Sequence, residues 1–113
     1  MIFALATDEN TLFVFATATD AIAYCEGIDV EDGDWRFWDM AGNALAAEFL
    51  TTNSRSGFTV GSGSYRLAPV SGQSTLGESL SSIGQISDSQ RFPDISAVRA
   101  HLASVAQVPQ HGP

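Results

Sequence analysis

Asp29, Glu31, Asp32 and Asp34 put four carboxylates into six residues, and Trp35, Arg36, Phe37, Trp38 and Asp39 follow without a break. Acids at that density could hold calcium, act as a paired general acid and base, or present a charged surface to a basic partner. Calcium fails on spacing. With Gly33 at the sixth position of an EF-hand loop, Ile28 stands first and Val30 third, where oxygen ligands are required. Zinc fails on ligands, because His101 and His111 are the only histidines and neither has a Cys or acid at ligand spacing. Paired-carboxylate hydrolysis is left to Asp32, Asp34 and Asp39, where crowding would raise one pKa. An exposed acidic loop has the same letters without the burial that such chemistry needs.

Nucleophilic catalysis has no better footing. Ser62 and Ser64 lie in a Gly-rich stretch, but no GxSxG elbow exists and no oriented His–acid pair accompanies them. Gly61-Ser62-Gly63 is too short for a phosphate loop: the third glycine of GxGxxG would fall on Arg66. The chain has no lysine, which removes the Walker motif as well. Cys25 is followed by Glu26, whose charge opposes a thiolate, so it reads as a buried structural cysteine. No catalytic residue, metal or cofactor is assigned, and a binding protein is expected rather than an enzyme.

Charge sets the kind of partner. Thirteen acids against five arginines give a net charge of −8 over 113 residues. Residues 1–53 hold ten of the acids and only Arg36, whereas residues 54–113 set four arginines against three acids. A fold that collects the first set on one face repels phosphate backbones and attracts basic proteins. Direct nucleic-acid binding is therefore not expected. A single cysteine excludes an intrachain disulfide and fits a reducing compartment. The N-terminus MIFALATDEN lacks a basic leader region, and no apolar run approaches the ~20 residues of a membrane span. A cytoplasmic protein is the expectation.

The elements that must position these residues follow from pattern. Ile2–Ala6 and Thr11–Phe15 are apolar runs about a polar turn and read as a hairpin. Thr17 or Thr19 caps a helix over residues 20–26, which Gly27 ends, and residues 28–33 form an acidic connection. Residues 34–39 form an aromatic strand, with Trp35 and Phe37 on one face and Trp38 on the other. Met40-Ala41-Gly42-Asn43 turns the chain into a partner strand over 44–51, and residues 52–57 are a second polar turn. Residues 58–67 alternate, with a bulge or bend at Gly61-Ser62-Gly63. Thr75 and Glu78 have capping-box spacing before Leu76, Leu80 and Ile83. Residues 84–92 read as a loop, and Asp94 caps a helix with Ile95, Val98, Leu102 and Val105 in one stripe. The expected fold is α+β: a mostly antiparallel sheet of about five strands with two or three helices packed on one face. One domain spans residues 1–106, with a frayed tail at 107–113.

The segment YCEGIDVEDGDWRFWD, with Thr19 to Ala23 before it and Met40 to Leu45 after it, resembles small bacterial immunity proteins. These are encoded beside contact-dependent or other polymorphic toxins and neutralise the toxin by binding it. The likeness is strongest over residues 20–50 and lies in the succession of helix, acidic turn and aromatic strand. It implies a cytoplasmic inhibitor with no catalytic residues of its own, whose partner is often a basic nuclease. A nuclease needs a positive groove, which an acidic protein can plug. The expected contact surface is Asp29, Glu31, Asp32, Asp34 and Asp39 against toxin arginines and lysines, with Trp38 as an exposed anchor. A non-catalytic assembly module and a carboxylate-dependent hydrolase are the alternatives.

Overall fold

β1 (Ile2–Ala6) is buried at all five positions, and the rest of the chain is arranged around it. In the computed structural model, which describes residues 1–55, 60–61, 63–87 and 91–106, β2 (Thr11–Phe15) returns antiparallel along one side of β1. β3 (Trp35–Asp39) runs antiparallel along the other side. Strands β2 and β3 thus point the same way with β1 between them, so the chain joining them must cross a face of the sheet. That crossover is α1 (Ala18–Tyr24) followed by α2 (Gly27–Glu31).

β4 (Ala44–Phe49) follows β3 through a turn in which Gly42 takes φ +86°, a conformation glycine adopts without steric cost. β5 (Ser54–Arg55) and β6 (Val60–Gly61) pair as a separate two-stranded ladder, and β7 (Tyr65–Pro69) then pairs with β4. From that edge the chain crosses the opposite face through α3 (Leu76–Ser79) and a 3-10 turn, Leu80–Ser82. It reaches β8 (Gln85–Ile86), parallel to β2 at the far edge, and ends its described part with α4 (Ile95–Ala106). The six-stranded sheet has the order β7-β4-β3-β1-β2-β8.

Two crossovers on opposite faces give two cores. Ile2, Ala4, Ala21, Cys25 and Phe37 pack under α1, while Phe3, Leu12, Trp38, Leu76, Leu80 and Val98 pack under α3 and α4. The fold is α+β with a mostly antiparallel sheet, as the sequence implies. The expectation of helices on one face is corrected: both faces are covered, which is why β1 is apolar throughout rather than alternating. Residues 84–92 contain β8 rather than loop alone, because two residues are enough to close the edge beside β2.

Helix starts follow their capping residues. Thr17 accepts from the Asp20 amide at 3.1 Å, so α1 begins two residues ahead of the expected start. Thr75 and Glu78 form the anticipated capping box. Asp94 accepts from the Ala97 amide at 2.9 Å. The acidic connection 28–33 is largely helical, as α2. Within the run 58–67, Val60–Gly61 and Tyr65–Pro69 belong to different ladders, so the break expected near Gly61 separates two sheets. Phe58, Ser62 and the tail 107–113 lie outside the described residues. No helix among the described residues is long and apolar enough to cross a membrane.

Candidate partner-binding surface

Asp29 lies in α2, and Asp32 to Asp34 form the turn that leads into β3. Gly33 at φ +86° makes that turn possible, and the Asp34 amide closes it by donating to the Asp29 carbonyl at 2.9 Å. The N-terminus of α2 is fixed from the other side. Asn53 donates to the Gly27 carbonyl at 3.1 Å and accepts from the Gly63 amide at 2.6 Å. There is no room for a side chain at Gly27, where a Cβ would lie 2.6 Å from the Gly63 carbonyl oxygen.

A second turn meets the first. The Thr7 amide donates to the Asp34 carbonyl, and the Thr7 hydroxyl to the Gly33 carbonyl, each at 2.9 Å. These bonds bring the 7–10 turn, and with it Asp8, beside α2. The electrostatic result is read at Asp34, whose pKa is raised above the ordinary 3.8 by partial desolvation first, then by the carboxylates of Asp8, Asp29 and Asp32. Four acids from three segments thus share one corner of the molecule. Asp29 and Asp34 are half-buried there, whereas Glu31 and Asp32 are exposed. Asp8 was not among the residues expected at this surface, since only the Thr7 bonds bring it close.

Trp38 requires a correction. Expected as an exposed anchor, it is fully buried, with its indole N–H donating to the Ser74 carbonyl at 2.9 Å and the Arg36 guanidinium 4.9 Å above its ring. The reason is the second helical layer, which covers the face that a one-sided fold would leave open. Asp39 is also set apart. At ~3.3 Å per residue it lies about 16 Å along β3 from Asp34. Its carboxylate accepts from the Ala41 and Asn43 amides at 2.9 Å and so builds the β3–β4 turn.

The ring that does border the acids is Trp35. It is half-buried and packs edge-on to Phe13 and Tyr24, with centroids 5.3 and 5.9 Å apart. Ala4 and Ala6 of β1 lie between Phe13 and Trp35 in register, and their small side chains let rings from two strands meet across a third. Tyr24 keeps 57% of its surface exposed. A cavity of about 400 Å³ opens next to Trp35, bounded by Val30, Gly33, Phe37, Leu45 and Phe49 among others. A smaller one of about 250 Å³ adjoins it at Phe49 and reaches Glu31.

The other groups considered for chemistry are engaged structurally. Burial first, then Asp29, pushes the Cys25 thiol up to about 12. Tyr65 donates to the Cys25 carbonyl at 2.6 Å, and burial raises its phenol too. His101 sits against the rings of Phe3 and Phe92, with Nε2 2.9 Å from the Met40 carbonyl, which fixes a proton on that nitrogen. Among the described residues no group of three or more His, Cys, Asp or Glu side chains is placed to hold a metal ion. No family model matches the chain, and neither a curated protein nor a solved structure matches it.

Proposed function

We propose that this chain is an immunity-type inhibitor, which binds a basic toxin domain in the cytoplasm and neutralises it by covering a positively charged groove. The observation that supports this most is the convergence of Asp8, Asp29, Asp32 and Asp34 at one corner, where the Thr7 bonds to Gly33 and Asp34 hold the 7–10 turn beside α2. Like charges held together cost stability, and a basic partner would relieve that cost on binding. Trp35 and Tyr24, half-buried and exposed, supply the aromatic surface beside them. A nuclease domain suits the charge, since its phosphate groove is of opposite sign to this corner.

The test has two stages. A C-terminally tagged protein is used to recover partners from a lysate of its own organism at low and at high salt. A single basic toxin domain, retained at low salt and weakened at high salt, fits the proposal. Recovery of nothing but further copies of the chain would favour the assembly module instead. With the partner in hand, Asp32→Lys combined with Asp34→Lys should slow association by about tenfold or more without lowering thermal stability. Unaltered association would place the contact surface elsewhere. Turnover that depended on Asp32 or Asp34 would replace the inhibitor reading with the hydrolase.

A further inference from the structure

β3 and β4 are neighbours in the sheet, but they pair only at Phe37↔Leu45 and Trp38↔Ala44. The hydrogen-bond pattern shows what is missing. The Asp39 amide bonds the Asn43 carbonyl, so odd-numbered residues of β3 face β4, and even-numbered ones face β1. On β4, the Val70 amide bonds Ala44 and the Leu50 amide bonds Ser64, so even-numbered residues there face β7. The next mutual pair in register would be Trp35 with Ala47. It is not formed. The cavity of about 400 Å³ lies at that point, lined by the consecutive residues Trp35, Arg36 and Phe37 on one strand and Leu45, Ala46 and Ala47 on the other. Successive residues point to opposite faces, so a cavity lined by both sets is a split between strands and not a dent in one face.

We propose that this split receives an extended, arginine-bearing segment of a partner protein, which pairs with the open edge of β4 at Ala47 and Phe49. Three observations carry this. The backbone groups of Ala47 and Phe49 point into the split by the alternation just described, as does Trp35 from the other side. The outer edges of the sheet are poor alternatives: β7 ends in Pro69, and β8 is two residues long. Charge then selects the guest. On the α2 face, a side chain leaving the split passes Val30 and the rings of Trp35 and Phe49, and arrives at Glu31 in the adjoining cavity. An arginine fits that path, with its stem on apolar surface, its guanidinium plane over a ring and its charge on the acidic α2 side, where it would join the interaction that Glu31 already makes. On the opposite face the guest meets Arg36 and Gln73, which suit short polar side chains.

This inference deepens the inhibitor reading, since the guest would belong to the basic partner, but its test does not need the toxin. The probe is a short acetylated peptide of alternating arginine and threonine. It is compared with a glutamate–threonine counterpart and with an arginine–threonine peptide N-methylated at alternate residues. The arginine peptide is expected to bind at low salt, shift the Trp35 emission and slow hydrogen exchange of the Ala47 and Phe49 amides. N-methylation keeps the charge and removes backbone donors, and should weaken binding by about tenfold or more. Equal binding of the methylated peptide would overturn strand pairing in favour of charge attraction alone. Equal binding of the glutamate peptide, no binding of the arginine peptide, or no change at Ala47 and Phe49 would each overturn the proposal. A toxin complex in which those two amides stay unprotected would overturn the split as its site and leave the inhibitor reading standing.

Discussion

The indole N–H of Trp38 donates to the carbonyl oxygen of Ser74 across 2.9 Å, tying the central part of the sheet to the segment that leads into α3. One side chain therefore fills the core and satisfies a backbone group of the crossover above it. Trp38→Ala should destabilise the protein by about 3–5 kcal/mol through the lost packing. Trp38→Phe retains most of the ring but leaves the carbonyl without that donor, a loss of about 1–2 kcal/mol. Urea unfolding measures both. Trp35→Ala should cost less than Trp38→Ala, because Trp35 is only half-buried.

Asp34 and Glu78 should shift the pH dependence of stability in opposite directions. Asp34 holds its proton more tightly folded than unfolded, so its contribution is complete below about 3.8 and is lost as pH rises through the higher folded value. Glu78, lowered from 4.5 first by its bond from the Thr75 backbone and then from the Thr75 hydroxyl, contributes above 4.5 and loses that as pH falls through the folded value. Asp34→Asn should therefore raise the urea midpoint near neutrality, and Glu78→Gln should lower it. Both differences should shrink toward acid pH. A neutral Asp34→Asn that left the midpoint unchanged would show that the acids of this corner do not repel one another.

Cys25 should be silent toward thiol reagents in the native protein. It is fully buried and its thiol is pushed up to about 12, so almost no thiolate exists at neutral pH. Modification with an aromatic disulfide reagent should proceed only in denaturant, at the rate of an ordinary exposed thiol. Rapid labelling of the folded protein would mean that α1 opens readily over the sheet.

Gly27→Ala should loosen the N-terminus of α2. The added Cβ meets the Gly63 carbonyl oxygen at 2.6 Å and the Asn53 Oδ1 at 2.8 Å, and a backbone atom cannot swing aside as a flexible side chain would. A loss of about 1–3 kcal/mol is expected by thermal or urea unfolding, as for other overpacked sites.

How far the sequence foretold this molecule is clearest at particular residues. Thr75 with Glu78 and Asp94 before Ile95 revealed their helices, because capping chemistry is local and is carried by letters three residues apart. Gly42 marked its turn for the same reason. Trp38 was misplaced because alternation assigns a residue to a face but cannot say whether a distant segment covers that face. Leu76, Leu80, Phe92 and Val98 do so here. β8 escaped notice because Gln85 and Ile86 carry no strand pattern and exist as a strand only through β2. Asp8 joined the acidic corner through the Thr7 bonds, a tertiary event with no trace in spacing.

The two helical layers differ in more than position. Residues 18–32, which span α1 and α2, hold Asp20, Glu26, Asp29, Glu31 and Asp32 and no arginine in their sequence, while the described residues of the opposite layer set Glu78 and Asp94 against Arg91 and Arg99. A charge separated in this way across the thickness of a sheet is a dipole, and a dipole experiences torque in a field. Near a basic surface the molecule would turn its α2 side forward while still a Debye length or so away, about 8–10 Å at ordinary ionic strength. Collisions would then be presorted by orientation, and the face that arrives first would be the one where β3 and β4 part.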